Sequence, residues 1–386
     1  MGLNETPSSS RIHISFFGRR NAGKSSLVNA VTGQNLAVVS DVAGTTTDPV
    51  SKAMELLPLG PVVITDTAGI DDEGALGALR IEKTNEVIKK TDIAVIVVDI
   101  NQDISDYEKK LIDIFKEKNI PAITVYNKCD ESDLKDNAFC VSAKTGRNID
   151  VLKEKLASLK PSENTMHLVA DFIESGDVVM FVTPIDESAP KGRLILPQQQ
   201  AIRDVLDTGA ISVVVQPSEL RDALGKIHPK LVVTDSQVFA KVKEIVPEDI
   251  PLTSFSILMA RVKGLLDSAV KGAHVLDELK DGDKVLISEG CTHHRQCKDI
   301  GTVKLPRLIE KHTGAKINFE FTSGGTFPDD LSGYTLIVHC GGCMLNDAQM
   351  RSRVDSATKQ NIPITNYGIA IAHMTGILER SIEIIK

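Results

Sequence analysis

The chain has 386 residues, 42% of them hydrophobic, and carries a formal net charge of -8. This length and apolar content predict two or three domains, each with its own core. The acidic balance argues against a general nucleic-acid binder, which would present a basic face. No apolar run approaches the ~20 residues of a membrane span, and Met1–Ser10 lacks the charged and apolar regions of a signal peptide. We therefore expect a cytoplasmic protein that binds neither nucleic acid nor membrane.

Residues 11–160 alternate apolar strands with helical stretches, which is typical of a doubly wound α/β sheet. Strands are predicted at Ile12–Phe17, Val62–Asp66, Ile93–Asp99 and Ala122–Tyr126. A polar linker with Pro161 and Ser162 follows. The first predicted domain therefore covers residues 1–160.

A glycine-containing segment follows the first predicted strand and opens a helix, which is the context that a phosphate-binding loop requires. The backbone N–H groups of such a loop and the helix N-terminus bind phosphate oxygens. Lys24 would place its charge on the β and γ phosphates, and the Ser25 hydroxyl would bind Mg²⁺. The predicted phosphate-binding residues are Gly18, Arg19, Asn21, Ala22, Gly23, Lys24, Ser25 and Ser26.

Two short segments predict how the γ-phosphate and Mg²⁺ are recognised. Asp66 begins an Asp-x-x-Gly motif at a strand end; its carboxylate would support the Mg²⁺ shell, and the Gly69 N–H would contact the γ-phosphate. The segment Gly44–Asp48 is a candidate switch, in which Thr46 would bind Mg²⁺ beside Thr45. The predicted catalytic residues are Lys24, Ser25, Thr46, Asp66 and Gly69.

Two further segments predict the identity of the base. In Asn127-Lys128-Cys129-Asp130, the Asp130 carboxylate would accept two N–H bonds from guanine, which adenine cannot offer. Ser142-Ala143-Lys144 would donate a backbone N–H to the guanine O6. The sequence therefore predicts a site for GTP and GDP with Mg²⁺.

With these five motifs, residues 11–160 resemble the Era/TrmE-like GTPases. That resemblance implies a K⁺ site at Asn21, since the relatives carry an asparagine at this place in the phosphate loop. Ile70 stands where Ras-like proteins place a water-orienting Gln, and Gly77-Ala78-Leu79 stands where TrmE-like relatives keep a glutamate. We expect slow, K⁺-stimulated hydrolysis, with Asp71, Asp72 and Glu73 as weak candidates for activating water.

The rest of the chain repeats the α/β pattern in two smaller blocks, so the predicted fold is a P-loop GTPase domain followed by two smaller α/β domains with mainly parallel sheets. The predicted domains are 165–257, for dimerisation, and 258–386. Strands in the middle block are predicted at Val178–Thr183, Ile211–Val215 and Leu231–Thr234. Strands in the last block are predicted at Lys284–Ser288, Ile317–Phe321, Thr335–Val338 and Pro363–Asn366.

Cysteine and histidine residues cluster in the last block, in Cys291-x-His293 and in His339-Cys340-x-x-Cys343. Each group follows a predicted strand, and the carboxyl ends of parallel strands form the binding crevice of an open α/β sheet. The three thiolates suit either a [4Fe-4S] cluster or a zinc centre completed by His293 or His339. By contrast, Cys129 and Cys140 lie beside apolar strands and are expected to be buried thiols.

At these residues the whole chain resembles the [FeFe]-hydrogenase maturation GTPases, the HydF family. The resemblance implies a [4Fe-4S] cluster on Cys291, Cys340 and Cys343, with His293 and His339 as candidate fourth ligands and Cys297 as a bystander. It also implies a homodimer or higher oligomer. Such a scaffold would receive a di-iron precursor with CO and CN⁻ ligands from HydE-like and HydG-like radical-SAM maturases. It would then deliver the precursor to the apo-[FeFe]-hydrogenase HydA.

Two alternatives remain open from the residues themselves. The first is an Era/TrmE-like GTPase whose last domain holds structural zinc as an interaction platform. The second is a GTPase of tRNA modification, which the acidic balance of the chain disfavours.

Overall fold

The computed structural model describes residues 6–34, 48–69, 75–130, 138–161, 166–185, 194–290 and 300–386. The chain divides into two compact units, Met1–Glu163 with Asn346–Ser352, and Asn164–Leu345 with Arg353–Lys386. Over the described ranges, no helix combines the length and apolar character needed to cross a bilayer. The sheets are mainly parallel, which confirms the predicted α/β class.

The first unit is built on a sheet with the strand order β2-β3-β1-β4-β5. All neighbouring strands are parallel except β2, which runs antiparallel to β3. The strands are β1 (Ile12–Phe17), β2 (Val50–Leu56), β3 (Gly60–Asp66), β4 (Ile93–Asp99) and β5 (Ala122–Asn127). The helices are α1 (Lys24–Thr32), α2 (Ala75–Ile88), α3 (Asp106–Glu117) and α4 (Ile149–Ser158).

Burial explains which of these strands the sequence predicts. Strand β4 is buried at every position, so it forms the continuous apolar run of a parallel strand covered on both faces. Strand β2 is mostly exposed, because it lies at the sheet edge with only β3 beside it. Its sequence has no apolar run, and for that reason β2 was not predicted.

The second unit contains two parallel sheets, with the orders β7-β6-β8-β9 and β11-β10-β12-β13. The first is formed by β6 (Val178–Val182), β7 (Ile211–Val215), β8 (Leu231–Thr234) and β9 (Leu252–Ser254). The second is formed by β10 (Lys284–Ser288), β11 (Asn318–Thr322), β12 (Leu336–His339) and β13 (Ile364–Asn366). Its helices, which include most of α11, are α5 (Leu196–Asp207), α6 (Leu220–Leu224), α7 (Phe239–Lys243), α8 (Phe255–Val262), α9 (Leu266–His274), α10 (Leu305–Thr313), α11 (Asp347–Lys359), α12 (Tyr367–Met374) and α13 (Leu378–Glu383).

The two sheets of the second unit are copies of one repeat. Both have the strand order 2-1-3-4 when numbered within the sheet. Residues 251–266 and 363–378 carry the same proline, threonine, isoleucine, alanine, glycine and leucine at matching positions. The helix caps match as well, since the Ser254 side chain accepts the Ile257 N–H and the Asn366 side chain accepts the Ile369 N–H. The duplication is not evident from the sequence alone, because the shared residues are few.

The repeats pack against each other by exchanging helices. Helix α9 follows the first repeat but packs on β13 of the second, and α13 follows the second repeat but packs on β9 of the first. One apolar core therefore joins the repeats, and it includes Met180, Val232, Ile257, Ala269, Ile369 and Ala372. The predicted domain boundary at 257/258 falls within α8, which begins directly after β9.

Gly272 allows the close contact between α9 and β13. A Cβ atom at this position would lie 2.2 Å from the Ile364 carbonyl oxygen. We expect Gly272→Ala to force the helix away from the strand and to lower the free energy of unfolding of this unit by about 1–3 kcal/mol. Gly225→Ala is the matched control, because its Cβ would have no neighbour closer than 3.5 Å. Thermal unfolding should show a lower midpoint for Gly272→Ala, and equal midpoints for both variants would contradict the packing described.

Candidate functional site

The loop between β1 and α1 has the backbone of a phosphate-binding loop. Gly18, Asn21 and Gly23 have φ values of 144°, 60° and 85°, a region that favours glycine and that asparagine tolerates. A Cβ atom on Gly18 would lie 2.2 Å from the Val97 carbonyl oxygen, so only glycine fits between the loop and β4. Helix α1 then begins at Lys24, so the loop leads directly into a helix N-terminus, which favours phosphate.

The structure brings the predicted Mg²⁺ residues Ser25 and Asp66 together. The Ser25 hydroxyl donates to Asp66 Oδ2 at 2.6 Å, while Asp66 Oδ1 is buried and has no hydrogen-bond partner among the described residues. Burial raises the pKa of the Asp66 carboxyl, and the Ser25 hydrogen bond and the Lys24 charge oppose this shift. An unpaired carboxylate oxygen beside a hydroxyl fits Mg²⁺, which prefers oxygen ligands and keeps several waters.

Lys24 is placed for phosphate binding at the same end of the sheet. Its Nζ donates to the carbonyl oxygens of Gly18 and Arg19 at 2.9 and 2.8 Å. Gly69 lies against the loop, since a Cβ atom there would be 2.6 Å from the Arg20 Cα. The Asp-x-x-Gly motif and the phosphate loop are therefore in contact, as γ-phosphate recognition requires.

Asn127 joins the phosphate loop to the base-recognition loop. Its side-chain Nδ2 donates to the carbonyl oxygens of Ala22 and Gly23 at 3.2 and 3.3 Å, and its Oδ1 accepts the Ala143 N–H at 3.1 Å. The neighbouring Lys128 has a φ of 68°, and its Nζ donates to Asp99 Oδ2 at 2.7 Å. One amide side chain thus fixes both halves of the nucleotide site.

The structure brings together the predicted base-recognition residues Asp130, Ser142 and Lys144. Asp130 Oδ1 accepts the Ser142 hydroxyl at 2.6 Å, and Lys144 Nζ lies 3.7 Å from Asp130 Oδ2. Ser142 is fully buried, so its hydroxyl holds the carboxylate that would contact guanine.

The side chains of the other predicted phosphate-loop residues differ in their contacts and exposure. The Arg19 guanidinium turns away to the buried Glu108 at 3.0 Å, which leaves its backbone for phosphate. The Asn21 side chain is exposed, and Ser26 is half-buried in the first turn of α1. Arg80, which no sequence motif indicates, is buried on α2 and donates to the Gly69 carbonyl oxygen at 3.4 Å.

Several predicted residues lie outside the described ranges. In the nucleotide domain these are the switch residues Thr45 and Thr46, Ile70 and the acidic residues 71–73. In the last domain they are Cys291, His293 and Cys297. Their predicted roles stay predictions.

The second candidate site lies where the chain reverses its winding in the last sheet. With the order β11-β10-β12-β13, the connections after β10 and β12 leave on opposite sides, and ligands of open α/β sheets bind at the carboxyl ends of such strands. Cys340 directly follows β12, and its N–H donates to the Ser288 carbonyl at the end of β10. The Gly290 N–H in turn donates to the Cys340 sulfur at 3.0 Å.

The loop 340–345 carries two free thiols of intermediate exposure, Cys340 and Cys343. The Gly342 N–H donates to the Cys340 sulfur at 3.4 Å, and Lys263 Nζ donates to the carbonyl oxygens of Gly342 and Leu345. Burial raises the pKa of the Cys340 thiol against the pull of these N–H groups, and burial raises that of Cys343 against the Lys263 charge. N–H donors and a lysine around sulfur fit a metal group bound by thiolates, because they stabilise negative charge on the ligands.

The other predicted ligand in this loop, His339, faces the protein interior. Its Nδ1 lies 2.7 Å from the Cys340 carbonyl oxygen, and its Nε2 lies 2.8 Å from Arg353 Nη1. Burial, with the Arg353 charge, lowers the pKa of His339 to about 3, so the ring is neutral. Since an arginine can only donate, Nε2 accepts and Nδ1 donates. Both ring nitrogens are therefore engaged in hydrogen bonds, Nδ1 with the Cys340 loop and Nε2 with Arg353.

The strand order and the nucleotide-binding motifs define the first domain as that of a P-loop GTPase, and residues 13–128 match the family model described as 50S ribosome-binding GTPase. Residues 168–264 match the dimerization domain of Hydrogen maturase F, and residues 267–384 match its tetramerization domain. These two matches together span more than half of the chain. The chain therefore belongs to the Hydrogen maturase F family, and it is a GTPase.

Individual relatives agree with the GTPase class. The chain is 36% identical over 182 residues to GTPase Der of Wolinella succinogenes, covering 42% of this chain and 38% of that protein. It is 38% identical over 169 residues to the tRNA modification GTPase MnmE of Endomicrobium trichonymphae, covering 40% and 37%. It thus spans less than two fifths of these relatives. The solved structure of Aquifex aeolicus Era with GDP and AlF₄⁻ is 18% identical with a TM-score of 0.36, covering 60% of this chain and 97% of that one.

The role of Asn127 can be tested by nucleotide affinity. We expect Asn127→Ala to weaken GDP and GTP binding equally, by about 10- to 100-fold, because losing a buried hydrogen-bonding side chain costs about 1–3 kcal/mol. Asn85→Ala, at an exposed position of α2, should leave both affinities unchanged. Titration of each variant with fluorescent GDP and GTP analogues measures both affinities. A loss confined to GTP would contradict a role that joins the two halves of the site.

Proposed function

We propose that this protein is a GTP-hydrolysing scaffold of hydrogenase maturation that binds a [4Fe-4S] cluster on Cys291, Cys340 and Cys343. Its cargo would be a di-iron fragment with CO and CN⁻ ligands, received from HydE-like and HydG-like radical-SAM maturases and delivered to apo-[FeFe]-hydrogenase. The observation that carries this proposal is the position of the Cys340 loop at the carboxyl ends of β10 and β12. Membership of the Hydrogen maturase F family supports it independently.

The residues around the loop have distinct roles in this proposal. A cluster held by three cysteines supplies one iron with a replaceable ligand, which suits a scaffold that must release its cargo. Cys340 and Cys343 bind, and the N–H groups of Gly290 and Gly342 stabilise the Cys340 sulfur as a thiolate. His339 and Arg353 orient the loop from the interior. If His339 is the fourth ligand, as its place in the sequence suggests, its ring must leave Arg353.

Self-association supports the scaffold role. The matched family domains are named for dimerization and tetramerization. Strand β7 is an edge strand with Ile211 and Val214 half exposed, and β11 is an edge strand with Phe321 39% exposed. Unpaired edges with apolar side chains favour pairing with another copy. We propose a homodimer through one edge, with the other open to a higher oligomer.

The GTPase domain acts in this proposal as a slow switch in the cytoplasm. The exposed Asn21, at the tip of the phosphate loop, would bind K⁺ beside the nucleotide, and the ion would supply positive charge as the γ-phosphate leaves. A switch of this kind times the loading or release of cargo and need not turn over quickly.

Different substitutions should abolish iron binding and GTP hydrolysis. We expect Cys340→Ser and Cys343→Ser to lose most of the iron after anaerobic reconstitution, together with the brown colour, because each removes a thiolate ligand. Their GTP hydrolysis should persist, since the two sites lie in separate compact units. Lys24→Ala should show the opposite pattern, and Cys297→Ser is the control with full iron.

Iron and phosphate assays on the same samples give both readings. A colourless wild-type protein that retains one tightly bound zinc would contradict the cluster and favour the zinc platform. Loss of iron in Lys24→Ala would contradict independent sites.

The K⁺ role of Asn21 has its own test. We expect wild-type hydrolysis to be about tenfold faster in KCl than in NaCl, which corresponds to ~1.4 kcal/mol in the barrier. Asn21→Gly should remove the difference, because glycine keeps the φ of 60° while losing the amide oxygen. Hydrolysis rates measured at equal ionic strength decide the point. Equal wild-type rates in both salts would remove Asn21 from this role.

A further inference from the structure

A cluster of three histidines and one aspartate lies in the second repeat, away from the cysteine loop. His274, His312 and His373 surround Asp277. Asp277 precedes β10, and the histidines end helices that run back along the sheet. In parallel α/β folds the helices run opposite to the strands. The cluster therefore lies at the amino ends of the strands, whereas Cys340 lies at their carboxyl ends.

The side chains are close enough to share one ion. His312 Nε2 is 2.7 Å from Asp277 Oδ1, and His373 Nε2 is 2.9 Å from Asp277 Oδ2. The ring centroids of His274 and His373 are 4.9 Å apart. One ligand atom from each of His274, Asp277 and His373 lies within 4.8 Å of the others. Three ligands on separate elements thus converge without any spacing signature in the sequence.

The local field also favours a cation. His274, His312 and His373 occupy the last turns of α9, α10 and α12. The C-terminus of each helix carries partial negative charge, and the Asp277 carboxylate adds a full one. The hydrogen bond from His312 lowers the pKa of the Asp277 carboxyl, with a further contribution from His373, so the carboxylate is ionised.

The first repeat shows what the same position looks like without ligands. Asp171 stands five residues before Gly176, as Asp277 stands five before Gly282. Arg261 takes the position that matches His373, and its Nη1 lies 2.7 Å from Asp171 Oδ2. A guanidinium has only donors and cannot bind a metal. The two repeats therefore contact an equivalent carboxylate in two ways, one through a guanidinium and one through imidazoles, which are able to bind a metal.

We propose that His274, Asp277 and His373 bind a divalent transition metal ion of the Zn²⁺ class. Imidazole and carboxylate ligands suit Zn²⁺, with distances of about 2.0–2.2 Å and a water in the fourth position. His312 stays on the second Asp277 oxygen and orients the carboxylate. The ion clamps the ends of α9 and α12 to the segment before β10.

Cobalt binding to the full-length chain tests the proposal. The protein carries Cys340→Ser and Cys343→Ser, so that the thiolate site does not compete. We expect one Co²⁺ per chain, with the visible bands of a tetrahedral site, no thiolate charge-transfer band, and displacement by Zn²⁺. Zn²⁺ should also raise the thermal midpoint of this protein, since it binds only the folded state.

Variants in the same background locate the site. His373→Arg copies the ion pair of the first repeat, so it should fold normally and bind Co²⁺ at least ~100-fold more weakly. His274→Asn, at an exposed position, should also fold normally and bind Co²⁺ at least ~100-fold more weakly. His312→Asn should lower the Co²⁺ affinity by about 10- to 100-fold. His167→Asn is the matched control, because the His167 ring contacts Asp204 at 2.8 Å in the first repeat, so its loss should leave Co²⁺ binding unchanged.

Each result of the Co²⁺ titrations either supports the proposed site or overturns it. Weaker binding in His274→Asn and His373→Arg, with His167→Asn unchanged, supports the site. Equal binding in all variants places the ion elsewhere and overturns the proposal. An absence of Co²⁺ binding also overturns it, and then the histidines serve only as hydrogen-bond partners of Asp277.

Discussion

The hydrogen bond from the Gly290 N–H to the Cys340 sulfur joins the carboxyl ends of two neighbouring parallel strands. It exists because β10 and β12 pair directly while their connections leave in opposite directions. That arrangement opens a crevice at one edge of the sheet and places a thiol in it. The loop that carries Cys343 is held by two further residues. Lys263 donates to the carbonyl oxygens of this loop, and the buried His339 contacts the Cys340 carbonyl oxygen. The nucleotide site follows the same rule, since Lys24, Asp66 and Asn127 lie at or just beyond the carboxyl ends of their strands.

The duplicated repeat explains how a thiolate site arose on a common frame. Asp235 follows β8 as Cys340 follows β12, and each accepts the N–H two residues further on, from Gln237 and Gly342. In the first repeat a carboxylate oxygen stabilises the turn, and in the second a sulfur atom takes its place. The second repeat thus keeps the turn and places in it a thiol, which we propose as a metal ligand. At the opposite edge, Arg261 and His373 differ between the repeats in a comparable way.

Much of the fold could be predicted because it depends on apolar runs. Strands such as β4 and β10 are buried and bounded by polar turns, so their positions follow from the sequence. The edge strand β2 and helix α9 were missed, the first because it is exposed and the second because it packs on the other repeat. Such packing depends on contacts between distant segments, which no local pattern contains.

The motifs of the nucleotide site are visible in the sequence because each is a short contiguous segment, and the roles of their residues stay predictions. The Asn127 bridge between loops and the position of Arg80 needed the tertiary structure. For the cysteine loop, the sequence predicts the strand ends but not the Arg353 that holds His339. The histidine cluster around Asp277 gave no signal, because its members are separated by up to 99 residues.

The central claim is that the cysteine loop at the end of β12 binds a cluster from which a di-iron fragment is passed on. Its most direct test is to load the reconstituted protein with a di-iron complex bearing CO and CN⁻ ligands and to mix it with apo-[FeFe]-hydrogenase. Hydrogen evolution is then measured. We expect active hydrogenase from the wild-type protein and little activity from Cys340→Ser. Inactive hydrogenase, with the cluster and the di-iron complex both present on the wild-type protein, would contradict it.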